Sequence, residues 1–140
     1  MCDRPPLPSV LFVCRKNSAR SQMAEAWGHH LGQGKITVVS AGLEASTIHP
    51  GAIAAMATEG INLGGQHSKP LADFQPQQFD WVISLCGCGY SLPEPWQQWH
   101  RERSTLLEWD LPDPAADPAL FPSIRDQIRQ RIEEFLAGMG

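Results

Sequence analysis

Four short apolar runs punctuate the chain: VLFVC from Val10 to Cys14, then KITVVSAG, WVISLC and STLLEW. They are rich in β-branched and aromatic residues, and each reads as a strand; VLFVC is long enough to be buried on both faces. The apolar period then changes. Met23, Trp27 and Leu31 recur every fourth residue with Ala24 and Gly28 beside them, a helical face that Gly32 and Gly34 end. Pro50 opens a second helix, whose inner face is assigned to Ile53, Met56 and Ala57 and whose stop is Gly60. Ile124, Ile128, Ile132, Phe135 and Leu136 make the stripe of a last helix. Strands alternating with helices predict an α/β fold: a four-stranded parallel sheet flanked by helices on both faces, with ligands at the carboxyl ends of the strands.

A chain of 140 residues with 42% hydrophobic and 19% charged residues is globular in composition and sized for one domain. Residues 1–8 read as a flexible tail and 9–140 as a single catalytic domain. The net charge of -4 gives no general attraction to nucleic acid or to anionic membrane, so an anion must be caught by a local site. The start, MCDRPPLPS, has no apolar core of a signal peptide, and no run is long enough to span a bilayer. A cytoplasmic location is therefore expected, where thiols stay reduced and cysteines serve chemistry more often than structure.

Cys14, Cys86 and Cys88 all fall at strand ends, and DLPDP follows the fourth strand, so these groups converge on one rim. CRKNSARS leads from the first strand into the first helix. Backbone N–H groups and the positive end of the helix dipole at such a junction bind an anion. The candidate oxyanion-binding residues are Arg15, Lys16, Asn17, Ser18, Ala19, Arg20 and Ser21, with Arg20 as a planar bidentate donor closing the ring. The same field favours the thiolate of Cys14 as a nucleophile. Ser21 is placed to donate a hydrogen bond to that thiolate, and Asn17 to hold the loop's shape. A buried cysteine beside a solvated basic turn is the plain alternative.

VLFVCRKNSARSQMAEAW resembles the nucleophile loop of the low-molecular-weight tyrosine phosphatase superfamily, and the SQMAE that follows C-x5-R-S is similar to its arsenate reductases. The resemblance covers nearly the whole chain. It implies reduction of arsenate to arsenite, a detoxifying oxidoreductase activity conferring arsenical resistance, through a Cys14–arsenic adduct. Cys86 would then displace arsenic by forming a disulfide with Cys14, and Cys88 would take that disulfide over. ISLCGCG resembles the branch whose shuttle cysteines lie this close together, which implies glutathione with glutaredoxin as the electron route, thioredoxin being second choice. No bound cofactor or metal is expected, because the histidines lack spacings that match the cysteines. Buried cysteines without chemistry remain the other reading of Cys86 and Cys88.

Asp113, between Pro112 and Pro114, matches the family's general acid, while Asp117 reads as a turn residue and Asp110 stays ambiguous. Two positions depart from the pattern. Ala19 stands where these reductases commonly carry cysteine. Lys69 stands where some relatives place an aspartate that binds potassium together with groups matching Asn17, Glu25 and Ser40. An ammonium there would fill the cation's place; a solvated surface lysine is the alternative. Two other functions compete with arsenate reduction: a low-molecular-weight protein tyrosine phosphatase using only Cys14, Arg20 and Asp113, and a redox-controlled oxyanion-binding module with no turnover.

Overall fold

The computed structural model describes residues 7–85 and 92–139. The strands are β1 Ser9–Cys14, β2 Thr37–Gly42, β3 Trp81–Ser84 and β4 Leu106–Glu108. The helices are α1 Arg20–Leu31, α2 Pro50–Ala57, α3 Glu94–Glu102 and α4 Phe121–Met139. All strand pairs are parallel, in the order β2-β1-β3-β4. The order reverses at β1, so the crevice of such a sheet opens at the carboxyl end of that strand. Cys14 is the residue that reaches it.

The two-residue period of β1 divides the core. Val10 and Phe12 face a cluster with Met23, Trp27, Ile124, Ile128 and Ile132, which α1, α2 and α4 cover. Leu11 and Val13 face Leu71, Phe79, Val82, Leu92 and Trp96 on the other side. Both faces are covered, as expected; among the described residues the second is covered by α3 and short 3-10 turns.

Two readings of the helices need correction. In α2 the buried residues are Ala52, Ala55 and Met56, while Ile53 is 44% exposed and Ala57 is exposed. Close approach decides this: a Cβ on Gly51 would meet the Phe121 ring at 2.4 Å, so α2 turns its small residues towards α4. Side-chain size alone had assigned Ile53 inward. The stretch around Trp96 and Trp99 forms α3, which the sequence reading left without a helix. Pro95 sits within the first turn, where proline is tolerated. Among the described residues no helix is long and apolar enough to cross a membrane.

Candidate active site

The loop from Cys14 to Arg20 is shaped by where its carbonyls go. Cys14 O accepts from Leu43 N at 3.1 Å, Arg15 O from Glu44 N at 3.1 Å, and Lys16 O from Ser68 Oγ at 3.1 Å. Asn17 O accepts from Gln22 Nε2 at 3.1 Å and Ser18 O from His49 N at 2.9 Å. No peptide bond is cis among the described residues. A trans peptide points its N–H opposite to its C=O, so consecutive carbonyls tied into the surrounding chain turn the N–H groups of residues 15 to 19 the other way. That is a ring of donors for an anion, completed by the amino end of α1, where no side chain caps Ala19.

Asn17 makes the loop possible. Its φ is 50°, a left-handed conformation that asparagine tolerates better than most residues. Its buried side chain also fixes the direction of a hydrogen-bond chain. Lys69 N can only donate, so the oxygen it meets at 2.8 Å is Asn17 Oδ1. Nδ2 therefore points to Ser21 Oγ at 2.8 Å and Ser40 Oγ at 2.9 Å. Both hydroxyls accept from Asn17 and keep their own protons for other partners. Ser40 gives its proton to Glu25 Oε1 at 2.5 Å. Ser21 Oγ is 2.8 Å from Cys14 Sγ, a contact in which either atom can donate; when Cys14 is ionised, Ser21 is the donor, with a proton that its bond from Asn17 leaves available.

Behind this chain Lys69 Nζ lies 3.3 Å from Glu25 Oε1 and 2.8 Å from His67 O. With its side chain 13% exposed, Lys69 is no solvated surface lysine. Burial opposes ionisation of Glu25, but hydrogen bonds from His29, Ser40 and Lys69, with the charge of Lys69, outweigh it and hold the carboxyl below its ordinary range.

Arg20 Nη1 donates to Leu111 O at 2.8 Å and, at 3.4 Å, to Leu85 O, tying the ends of β3 and β4 to the loop. Its Nη2 lies 3.8 Å from Asp113 Oδ2. Asp113 accepts from Ala115 N at Oδ1, 2.9 Å, so an amide of its own turn as well as the flanking prolines directs the carboxyl. Asp117 caps the following turn by accepting from Ala119 N, as its turn reading expects.

Cys14, Arg15, Lys16, Ser18, Ala19, Arg20 and Asp113 line one open pocket of about 370 Å³. The side chains of Asn17 and Ser21 lie fully buried behind the loop, Asn17 bracing its shape and Ser21 beside Cys14 Sγ. The pocket also takes Ser46, Thr47, His49 and Pro50 from the amino end of α2 and Ala115 from beyond β4, most of which sequence reading missed. His49 caps the entry to α2, its Nδ1 accepting from Gly51 N at 2.9 Å. Ser68, Gln22 and Gln66 were missed as supports, and no spacing in the sequence marks them. Cys86 and Cys88 lie outside the described residues. No metal-binding cluster occurs among the described residues.

A parallel sheet whose switch point carries a thiol beneath a ring of N–H donors and an arginine defines a thiol enzyme for tetrahedral oxyanions. The chain belongs to the low molecular weight phosphotyrosine protein phosphatase family, whose description matches residues 9–140. It is 44% identical over 132 residues to a glutaredoxin arsenate reductase of Synechocystis sp., an alignment covering 94% of this chain and 98% of the relative. An arsenate reductase of Halalkalibacterium halodurans is 35% identical over 133 residues, 90% of this chain and 93% of the relative. A solved structure of an arsenate reductase in the phosphate binding state superposes with a TM-score of 0.84 at 43% identity, over 96% of this chain and all of the other.

Proposed function

We propose that the protein reduces arsenate to arsenite, with electrons arriving from glutathione through glutaredoxin. The relative of 44% identity bears the name of a glutaredoxin arsenate reductase, which supports both the reaction and the electron route. Cys14 attacks arsenic while the loop N–H groups and Arg20 hold the oxygens, and Asp113 protonates the departing oxygen, which leaves as water. The Cys86 thiolate then attacks the sulfur of Cys14. The sulfur–arsenic bond breaks with its electron pair going to arsenic, which leaves as arsenite, and a Cys14–Cys86 disulfide remains. Cys88 attacks Cys86, releasing the Cys14 thiolate, and glutaredoxin reduces the Cys86–Cys88 disulfide at the expense of two glutathione thiols, which become glutathione disulfide. In sum, arsenate and two thiols give arsenite, one disulfide and water.

The observation that carries this reading is the meeting of β3 with the loop. Leu85 N donates to Val13 O at 2.9 Å, and Leu85 O faces Arg20 Nη1 at 3.4 Å. Cys86 is the next residue in the chain. Ser21 Oγ, 2.8 Å from Cys14 Sγ, is in place to donate to the sulfur once it is ionised, which supports a nucleophilic role there.

The test is Cys88→Ser. Arsenate reduction by this variant should stop after about one turnover per chain with Cys14–Cys86 trapped, while hydrolysis of a phosphate monoester, which needs only Cys14, Arg20 and Asp113, should be unaffected. Sustained reduction at the parent rate would exclude the relay. Hydrolysis without any arsenate reduction in the parent protein would favour the phosphatase.

A further inference from the structure

One nitrogen of His49 is engaged and the other is not. Nδ1 accepts from Gly51 N at 2.9 Å, capping α2 from an extended backbone with φ -66° and ψ 133°. The ring packs on Phe121, with the centroids 5.0 Å apart. An imidazole whose Nδ1 accepts an N–H carries its proton, when neutral, on Nε2. Nε2–H is therefore a donor, and among the described residues it has no partner. No polar side-chain atom of those residues is both buried and unpartnered, so this N–H reaches open space. His49 is half-buried, and the space it borders is the pocket that Cys14 and Arg20 also line.

The two nitrogens of an imidazole point in divergent directions, so Nε2 faces away from the first amides of α2. The backbone fixes where the ring stands relative to the anion loop. His49 N donates to Ser18 O at 2.9 Å, and Ser18 Oγ donates to Thr47 O at 2.7 Å, so residues 47 to 49 are latched to the loop. Other polar side chains border the same pocket. Arg15, Lys16, Ser46 and Thr47 are exposed, and among the described residues no hydrogen bond holds their side-chain polar atoms. His49 differs, because one nitrogen and the ring itself are already held. Donation from a side chain fixed in place costs little further ordering, whereas a free side chain must be ordered on binding.

We infer that His49 is a further substrate-contacting residue, donating Nε2–H to an oxygen of the bound oxyanion. It adds a neutral donor from the entry of α2 to those of the loop and Arg20. The inference rests on the arsenate-reducing reading above only for the identity of the anion turned over. An oxygen that stays on arsenic keeps this bond before and during attack by Cys14, so losing the bond raises KM and spares kcat.

Two variants of the full chain separate the two nitrogens. Asparagine places an amide oxygen near the position of Nδ1 and is itself a favoured cap, so His49→Asn keeps the bond from Gly51 N and loses the donor. His49→Gln does the reverse, carrying its amide N–H group out to the position of Nε2 and losing the cap. Protection of Cys14 from iodoacetamide by inorganic phosphate, read by peptide mass, reports anion binding without any redox step. Urea melts report stability. His49→Asn should need about tenfold more phosphate for half-protection and show a similar rise in KM for arsenate, with kcat within about threefold and the urea midpoint unchanged. His49→Gln should stay within about threefold of the parent in phosphate protection although its urea midpoint falls. Half-protection of His49→Asn within about twofold of the parent overturns the inference. So does a loss of protection that follows the loss of stability in both variants, which is what a purely structural histidine requires. A parent protein that phosphate protects but that reduces no arsenate overturns the proposed reaction instead, and the protection pattern still decides His49.

Discussion

Asn17 and Lys69 show how a residue outside the pocket can set the chemistry within it. The amide of Asn17 has one orientation because the N–H of Lys69 can only donate, and that orientation leaves Ser21 a proton for Cys14. Against the cost of burial, hydrogen bonds from His29 and Ser40 together with the ammonium of Lys69 hold Glu25 ionised, and Glu25 accepts the proton of Ser40. A cation is therefore built into the chain at this point. Activity should be insensitive to potassium: replacing sodium by potassium at fixed ionic strength should change the arsenate reduction rate by less than about twofold. A large increase with potassium, measured by steady-state kinetics, would show that Lys69 does not fill the position. The lysine was visible in the sequence. Its burial was not, because whether a lysine near a loop folds inward depends on a carboxylate from α1 that lies 44 residues away.

At the scale of elements, the site depends on how closely β2 supports the loop. A Cβ on Gly42 would lie 2.5 Å from Glu44 O, 2.6 Å from Asn17 N and 2.7 Å from Lys16 C. All three are backbone atoms, which cannot swing aside as a side chain can. Gly42→Ala should therefore displace the loop, costing about 1–3 kcal/mol in a urea melt and weakening phosphate inhibition by about tenfold or more. Unchanged phosphate inhibition would mean that the ring does not lean on β2. The strand itself was legible from KITVVSAG, as β1 was from VLFVC, because buried strands write themselves as β-branched runs. The inward face of α2 was not, since the close packing of Gly51 on Phe121 joins segments that the sequence keeps far apart. Proline around Trp96 hid α3 for a local reason: a residue that usually breaks helices stands in a first turn.

Over the whole molecule, the second core is anchored by a buried histidine. His100, 1% exposed, places Nε2 2.9 Å from Pro76 O and Nδ1 2.8 Å from Thr105 Oγ1, and its ring stacks on Trp96. Burial lowers its pKa below the ordinary 6.5; Arg103 adds to this, while the Pro76 carbonyl and Asp80 oppose it. The unfolded chain then binds the proton more readily than the folded one. The neutral histidine's contribution is full above about pH 6.5 and is lost as pH falls through the folded value. Urea melts should show stability declining from that pH downward, and His100→Asn should flatten this part of the slope. The variant should also cost about 1–3 kcal/mol near neutrality through the disturbed buried hydrogen bonds. An unchanged slope in the variant would assign the decline to other groups.

The sequence by itself determined the parallel α/β fold, the anion loop from Cys14 to Arg20 and the place of Asp113 at its mouth. These follow from short-range patterns: apolar period, turn residues, and a nucleophile and arginine at fixed spacing. Only the tertiary structure decided that the Asn17 amide turns its Nδ2 towards Ser21 and Ser40, that Lys69 folds inward onto Glu25, and that residues before α2 join the pocket. Hydrogen-bond direction and pocket volume depend on groups brought together from distant parts of the chain, and a one-dimensional pattern carries no record of those meetings.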